Sequence, residues 1–210
     1  MNLEQRKATW KKIWPTLNKH YKRDKTFLDH RNIWELLIAV ILSAQTTDDM
    51  VNKVTPHLFA AYPKPIDLAS APIGKIEKLV GRLGFFRSKA KHIKATAQIV
   101  VKNFKGNVPD NEKDLRILPG VGRKTAMVVL SNGFGKDLGI PVDTHVIRFS
   151  HRYNLSSAKG ADGIERDLLQ IIPQKLWRRS SYAIKEYGRK EGRARPWKPE
   201  EDPVWKVFKQ

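Results

Sequence analysis

Apolar residues recur at three- and four-residue spacing over seven stretches of this chain: 31–43, 47–61, 88–103, 122–132, 143–153, 161–171 and 177–188. That period predicts an amphipathic helix in each. The interruptions carry turn chemistry: Pro63 and Pro65, Gly81 and Gly84, Gly106 to Pro109, Pro119 to Gly122, and Gly133 to Pro141. No stretch has the strict alternation of an exposed strand, so the expectation is an all-α fold of short helices and short connections. A boundary is expected near Gly133–Pro141. The period is lost in the tail, GRKEGRARPWKPEEDPVW at 188–205. Its Arg, Lys and Pro fit a solvated segment, but Trp197 and Trp205 argue that it packs down, because exposed tryptophan is disfavoured.

Composition narrows the partners. The 210 residues allow one domain or two small ones, and 40% hydrophobic content is enough for a packed core. The chain carries 40 Lys+Arg against 21 Asp+Glu, a net charge of +19 and a pI near 10.2. Such an excess points to an anionic polymer, whose counterions are released on binding. A membrane surface competes as a partner, but no apolar run approaches the roughly 18 residues of a spanning helix, and MNLEQRKATWKK holds no signal-peptide core. With no cysteine, disulfides, thiolate zinc sites and cysteine-bound iron–sulfur clusters are excluded. That fits a reducing cytosol, and a cytoplasmic, nucleoid-associated location is expected if the source is bacterial. Six histidines without H-x-x-x-H spacing give no metal site.

The chemistry concentrates at LPGVGRKTAMVVL (118–130) and PVDTH (141–145). In Leu118-Pro119-Gly120-Val121-Gly122, the proline fixes φ and the glycines permit positive φ, so the backbone can turn sharply into a helix. The N–H groups and dipole of a helix opening at Arg123 would accept a DNA phosphate without reading sequence. The plainer reading is a glycine-rich turn between two core helices. Lys124, on the first turn, reads either as a phosphate contact or as a nucleophile. An amine attacks only when neutral, so the second role needs its pKa lowered from about 10.4, as a helix N-terminus and a neighbouring Arg123 would do. Attack at a sugar C1′ would expel a base and leave a Schiff base. Asp143 reads as the N-cap of the next helix and as a carboxylate able to stabilise positive charge on the sugar or carry a proton. The two readings are compatible, since a capping aspartate is held rigidly.

Taken with LLIAVILSAQTTD (36–48), GFFRSKAKHI (84–93) and VPDNEKDLRILPGVGRKTAMVVL (108–130), followed by PVDTHVIR (141–148), the chain resembles the endonuclease III branch of the helix–hairpin–helix DNA glycosylases over about residues 25–190. The resemblance implies a two-domain, all-α fold. A central helical domain would span 26–136, and a second would join 1–25 to 137–210. Duplex DNA carrying a damaged base or an abasic site would lie in the cleft between them, with the base flipped out and the protein acting as a monomer. Lys124 would be the Schiff-base nucleophile and Asp143 the catalytic carboxylate of an enzyme that removes a base and then cuts the strand by β-elimination. Gln45 would fill the space left by the flipped base, and Phe85 would wedge beside the orphaned partner. From their own residues alone, these two read as a turn and as core. Asp48 would contact the extruded base, or simply cap a helix. Leu118 to Arg123, Thr144 and His145 would lie against DNA. The backbone carbonyls of Leu118 and Val121, with Arg116, would hold a monovalent cation.

The chain departs from that family after Tyr187-Gly188-Arg189, where most members carry a cysteine loop holding a [4Fe–4S] cluster. Here the ligands are absent. Arg189, Lys190, Arg193, Arg195 and Lys198 could keep a DNA-backbone contact, with Trp197 and Trp205 packed where the cluster would stabilise the loop. Oxidised or ring-saturated pyrimidines are the expected substrates, thymine glycol among them. The alternatives are a glycosylase for mismatched or alkylated bases, a non-catalytic helix–hairpin–helix DNA-binding protein, and a ribosomal or RNA-binding protein.

Overall fold

The computed structural model describes residues 1–191 and 197–210. Among the described residues the chain forms α1 (Leu3–His20), α2 (Ile33–Leu42), α3 (Asp48–Ala61), α4 (Pro65–Ser70), α5 (Ile73–Val80), α6 (Phe86–Phe104), α7 (Glu112–Arg116), α8 (Arg123–Phe134), α9 (Thr144–Arg152), α10 (Ala161–Ile171), α11 (Trp177–Lys190) and α12 (Pro203–Lys209), with a 3₁₀ turn at Gln174–Leu176. None of the described residues forms a strand, as the periodicity predicts. The tail differs from its expectation, because α12 lies in the segment that lacks a helical period. Its start is set locally: Pro203 is preorganised for the first helical position, and Asp202 caps the backbone N–H groups of Val204 and Trp205. Arg193 and Arg195 fall outside the described residues.

The chain divides into two compact units, Thr26–Lys136 and the pair of segments Met1–Lys25 and Asp137–Gln210. In the first, α2 is the centre. It is apolar all round, and Trp34 to Leu42 are buried, which is the signature of a helix enclosed by others. Asn32 caps it, and the buried Glu35 accepts from the Arg31 backbone N–H at 2.7 Å and from its guanidinium at 2.6 and 2.8 Å. α6 and α8 pack on α2. Gly133 of α8 makes that approach possible, since a Cβ there would lie 3.0 Å from Cγ2 of Ile33. α6 ends with Lys105 and Gly106 in left-handed backbone, and the Gly106 N–H returns to the Val100 carbonyl.

In the second unit, α1 opens with a reciprocal cap between Asn2 and Gln5. It buries Trp10, Ile13 and Leu17, a stripe at the spacing of one helix face. That stripe joins Val146, Phe149, Tyr153, Ile164, Leu168, Ile184, Tyr187 and Val204 in one core. Asp202 is 1% exposed and organises the tail. Its Oδ2 accepts from the Tyr153 hydroxyl (3.2 Å), the Tyr187 hydroxyl and Nε1 of Trp197 (3.0 Å). The Arg152 guanidinium stacks 3.8 Å from the Trp197 ring centroid, and Trp197 meets Trp205 edge-on at 4.9 Å. Burial is the largest of the effects that push both tyrosine hydroxyls above their usual range. The two tryptophans are thus packed, and no helix among the described residues is long and apolar enough to cross a membrane.

Candidate active site and nucleic-acid interface

The hairpin before α8 is built from local constraints. Leu118 donates to the Leu115 carbonyl (3.1 Å) and Val121 to the Leu118 carbonyl (3.0 Å), closing two successive turns. The Leu118 and Val121 side chains are buried as anchors, and the Thr96 hydroxyl of α6 donates to the Pro119 carbonyl at 2.9 Å. Gly120 is required twice. Its φ is +81°, and a Cβ would lie 3.0 Å from Cγ2 of Ile41 and 3.2 Å from Nδ1 of His92. The hairpin is therefore seated against the last turn of α2 and the first half of α6.

Gly122 is glycine for a different reason. Its backbone is extended, φ −85° and ψ 178°, and a Cβ would meet no atom within 4 Å. Neither strain nor internal packing demands a glycine here. What it does is cap α8 without a side chain, leaving the first-turn N–H groups and the positive dipole end accessible. Gly122, Arg123 and Lys124 are all exposed. The arrangement can take an anionic oxygen, with an amine on the same turn. Glu112 lies 3.6 Å from Arg116 and 3.9 Å from Arg123, and both pairs are solvent-facing and weak.

At the adjoining end of α2 the chain turns through Gln45, whose φ is +52°, and then enters α3. Phe85, with φ +57°, opens α6 in the same left-handed conformation. The two turns are neighbours, since a Cβ on Gly84 would lie 4.0 Å from the Gln45 carbonyl oxygen. Phe85 is 70% exposed, which overturns the reading of it as core. A large apolar side chain held outward on strained backbone points to a contact surface. Asp48 is buried at the start of α3, but Thr47 supplies the cap, accepting from the Met50 N–H, so capping does not account for Asp48.

Asp143, Thr144 and His145 belong to the other unit. Asp143 caps α9, as its position before Thr-His-Val predicts: Oδ1 accepts from His145 N (2.8 Å) and Val146 N (3.0 Å). Both bonds fall on one oxygen, so the carboxylate is fixed while Oδ2 takes no part in the cap. Thr144 is exposed and His145 half-buried. Burial, reinforced by Arg148 and Lys185, lowers the His145 pKa; Asp143 and a hydrogen bond with the Gly188 backbone act in the opposite sense.

Two residues escaped the sequence reading. Asp202 sits in a run of charge and proline that carries no period. Lys89 is only 4% exposed and donates to the Thr46 hydroxyl, so it ties α6 to the Gln45 turn. Its signal was present, because it occupies the apolar stripe of α6 that continues through Ala90, Ile93, Thr96, Ala97 and Val100.

A helix–hairpin–helix with an exposed lysine on its second helix, in an all-α chain, defines a class of DNA-repair protein. Residues 38–174 match the HhH-GPD superfamily base excision DNA repair protein. Endonuclease III of Synechocystis sp. is 47% identical over 173 residues, 82% of this chain and 79% of that protein. Endonuclease III of Escherichia coli is 36% identical over 167 residues, 80% of this chain and 79% of that protein. A solved non-covalent endonuclease III–DNA complex superposes with a TM-score of 0.90 at 36% identity, covering 96% of this chain and 94% of that one. The chain belongs to the endonuclease III family of the HhH-GPD superfamily. The [4Fe–4S] cluster of that family does not fit the residues present. The chain has no cysteine, and among the described residues no group of three or more His, Asp or Glu converges as a metal site.

Proposed function

We propose that this chain is a bifunctional base-excision enzyme: a DNA glycosylase that removes oxidised pyrimidines such as thymine glycol, and a lyase that cuts the resulting abasic strand. The observation that carries the reading is Lys124 on the first turn of α8, beside N–H groups that Gly122 leaves uncapped by any side chain. A phosphate accepted there brings the sugar–phosphate backbone to the amine. The two units, Thr26–Lys136 and the one built from both ends, are read as the two domains of the enzyme.

In the proposed reaction the neutral Lys124 amine attacks C1′ of the damaged nucleotide. The C1′–N bond breaks, and the base leaves with the bonding electrons. Asp143 stabilises positive charge on the sugar and carries the proton released by the amine to the leaving base. The sugar ring opens, its O4′ taking a proton from water, to give a protonated imine between Lys124 and C1′. That imine acidifies the C2′ proton, whose loss expels the 3′ phosphate and cuts the strand. Water then hydrolyses the imine and frees the lysine. Gln45 and Phe85 enter the duplex at the extruded nucleotide and its orphaned partner, Asp48 lies at the pocket for the base, and Thr144 and His145 contact the DNA. The Leu118 and Val121 carbonyls are read as ligands of a monovalent cation. The enzyme works without an iron–sulfur cluster.

The test is a panel of duplexes carrying thymine glycol, a guanine–thymine mismatch, an alkylated purine or a preformed abasic site. Released base and strand cleavage are scored separately. The reading requires base release and cleavage together on thymine glycol, in preference to the mismatch and the alkylated base. Release from those alone would give the chain a different substrate class, and binding without either product would make it a non-catalytic DNA-binding protein.

A further inference from the structure

Lys89 is out of place energetically. It occupies the buried stripe of α6 where Met or Leu would pack without desolvating a charge. Its hydrogen-bond partner is the neutral hydroxyl of Thr46, and burial alone pulls its pKa down, with no carboxylate offsetting it among the described residues. Two further costs fall in the same place. Gln45, next to Thr46, and Phe85, one helical turn before Lys89, are both non-glycine residues in left-handed backbone. Strain and buried charge gathered at one exposed surface mark a geometry maintained for use.

We propose that Lys89 is a positioning residue for base extrusion. Its ammonium bridges α6 to the 43–47 turn through Thr46, and so fixes Gln45 and Phe85 in the relative geometry with which they enter the duplex. Phe85 opens α6 and Gln45 closes the turn after α2, so neither element alone determines their separation. The Gly84–Gln45 approach brings the turns together, and the Lys89–Thr46 bond locks them. This inference rests on the proposed function, since it assigns Lys89 to the same insertion step.

The test compares Lys89→Met, Lys89→Arg, Thr46→Val and the Lys89→Met/Thr46→Val double variant in single-turnover assays on two duplexes. One duplex carries thymine glycol, with 2-aminopurine as the neighbouring base. The other carries a preformed abasic site, which has no stacked base to extract. Lys89→Met is expected to slow thymine glycol excision by roughly 10- to 100-fold and to blunt the rise in 2-aminopurine fluorescence on binding, while abasic-site cleavage stays near the wild-type rate. Lys89→Arg should recover much of the loss, and Thr46→Val should reproduce it. The double variant should be no slower than Lys89→Met, because both changes break one contact. If Lys89→Met does not fold, Thr46→Val carries the same comparison. Equal loss of both activities in step with a lower melting temperature would reduce Lys89 to ordinary scaffolding and overturn the proposal, as would unchanged excision. A wild-type protein that cuts abasic DNA and releases no oxidised base would instead contradict the proposed substrate.

Discussion

A Cβ on Gly188 would lie 2.8 Å from both Cβ and Cγ of His145, so the histidine in the first turn of α9 fits only because residue 188 of α11 has no side chain. The Gly-Arg step at 188–189 is thereby tied to the Asp-Thr-His step at 143–145 within one core. Gly188→Ala should force α9 and α11 apart and cost roughly 1–3 kcal/mol of stability. It should also slow excision, because Asp143 is held by its cap on the first turn of α9. Thermal unfolding and single-turnover kinetics on the same preparation check this. A variant as stable and fast as wild type would remove the link.

The observed cap at Asp143 and the catalytic role proposed for it separate by substitution. Asp143→Asn keeps an oxygen for the His145 and Val146 N–H groups, so stability should change little. Losing the charge and the proton carrier should lower excision by about 10²- to 10⁴-fold. Asp143→Ala also loses the cap and should cost a further ~1 kcal/mol of stability. Equal activity in Asp143→Asn and wild type would leave the residue as a cap alone.

Stability should depend on pH through His145. Its pKa lies below the ordinary 6.5, with burial the main cause. Below pH 6.5 the unfolded chain therefore binds the proton more readily than the folded one. The contribution is fully present above that pH and is lost as pH falls through the window beneath it. Urea unfolding at about pH 7.5 and about pH 5.5 should show a steeper acid loss in wild type than in His145→Gln. Parallel slopes would mean that His145 titrates alike in both states.

The aromatic assembly around Asp202 should be a major support of the tail. Asp202→Ala removes the acceptor of two tyrosine hydroxyls, the Trp197 indole and two backbone N–H groups. A loss of about 3–5 kcal/mol is expected, in line with breaking other buried charged networks. Replacing Trp197 and Trp205 together with serine should also cost several kcal/mol. An unchanged melting temperature in either variant would show that the tail does not support the fold.

α3, α6 and α8 to α11 were legible in the sequence because burial on one face writes itself as a period of 3.6, and α2 because its apolar run is nearly continuous; α1 was not, since its stripe of Trp10, Ile13 and Leu17 is diluted by the polar and basic residues around it. α12 was not, since seven residues after a run of charge and proline give no period; its cap on Asp202 and its packing on Tyr153 are tertiary. The hairpin was legible because glycine and proline impose its turn locally. Its seat on Ile41 and His92 was not, nor was the meeting of the Gln45 and Phe85 turns, which depends on contacts some forty residues apart. Lys89 lies on the apolar stripe of α6, but its residue type reads as solvent-facing, so the stripe was legible and the buried lysine in it was not.

Covalent chemistry at Lys124 can be read out by borohydride trapping. Wild type and Lys124→Gln are incubated with a duplex carrying an abasic site, borohydride is added, and the protein–DNA adduct is resolved by denaturing electrophoresis. An adduct should form with wild type and disappear in Lys124→Gln while duplex binding persists. No adduct from wild type with binding intact, or an adduct that survives the substitution, would contradict that chemistry.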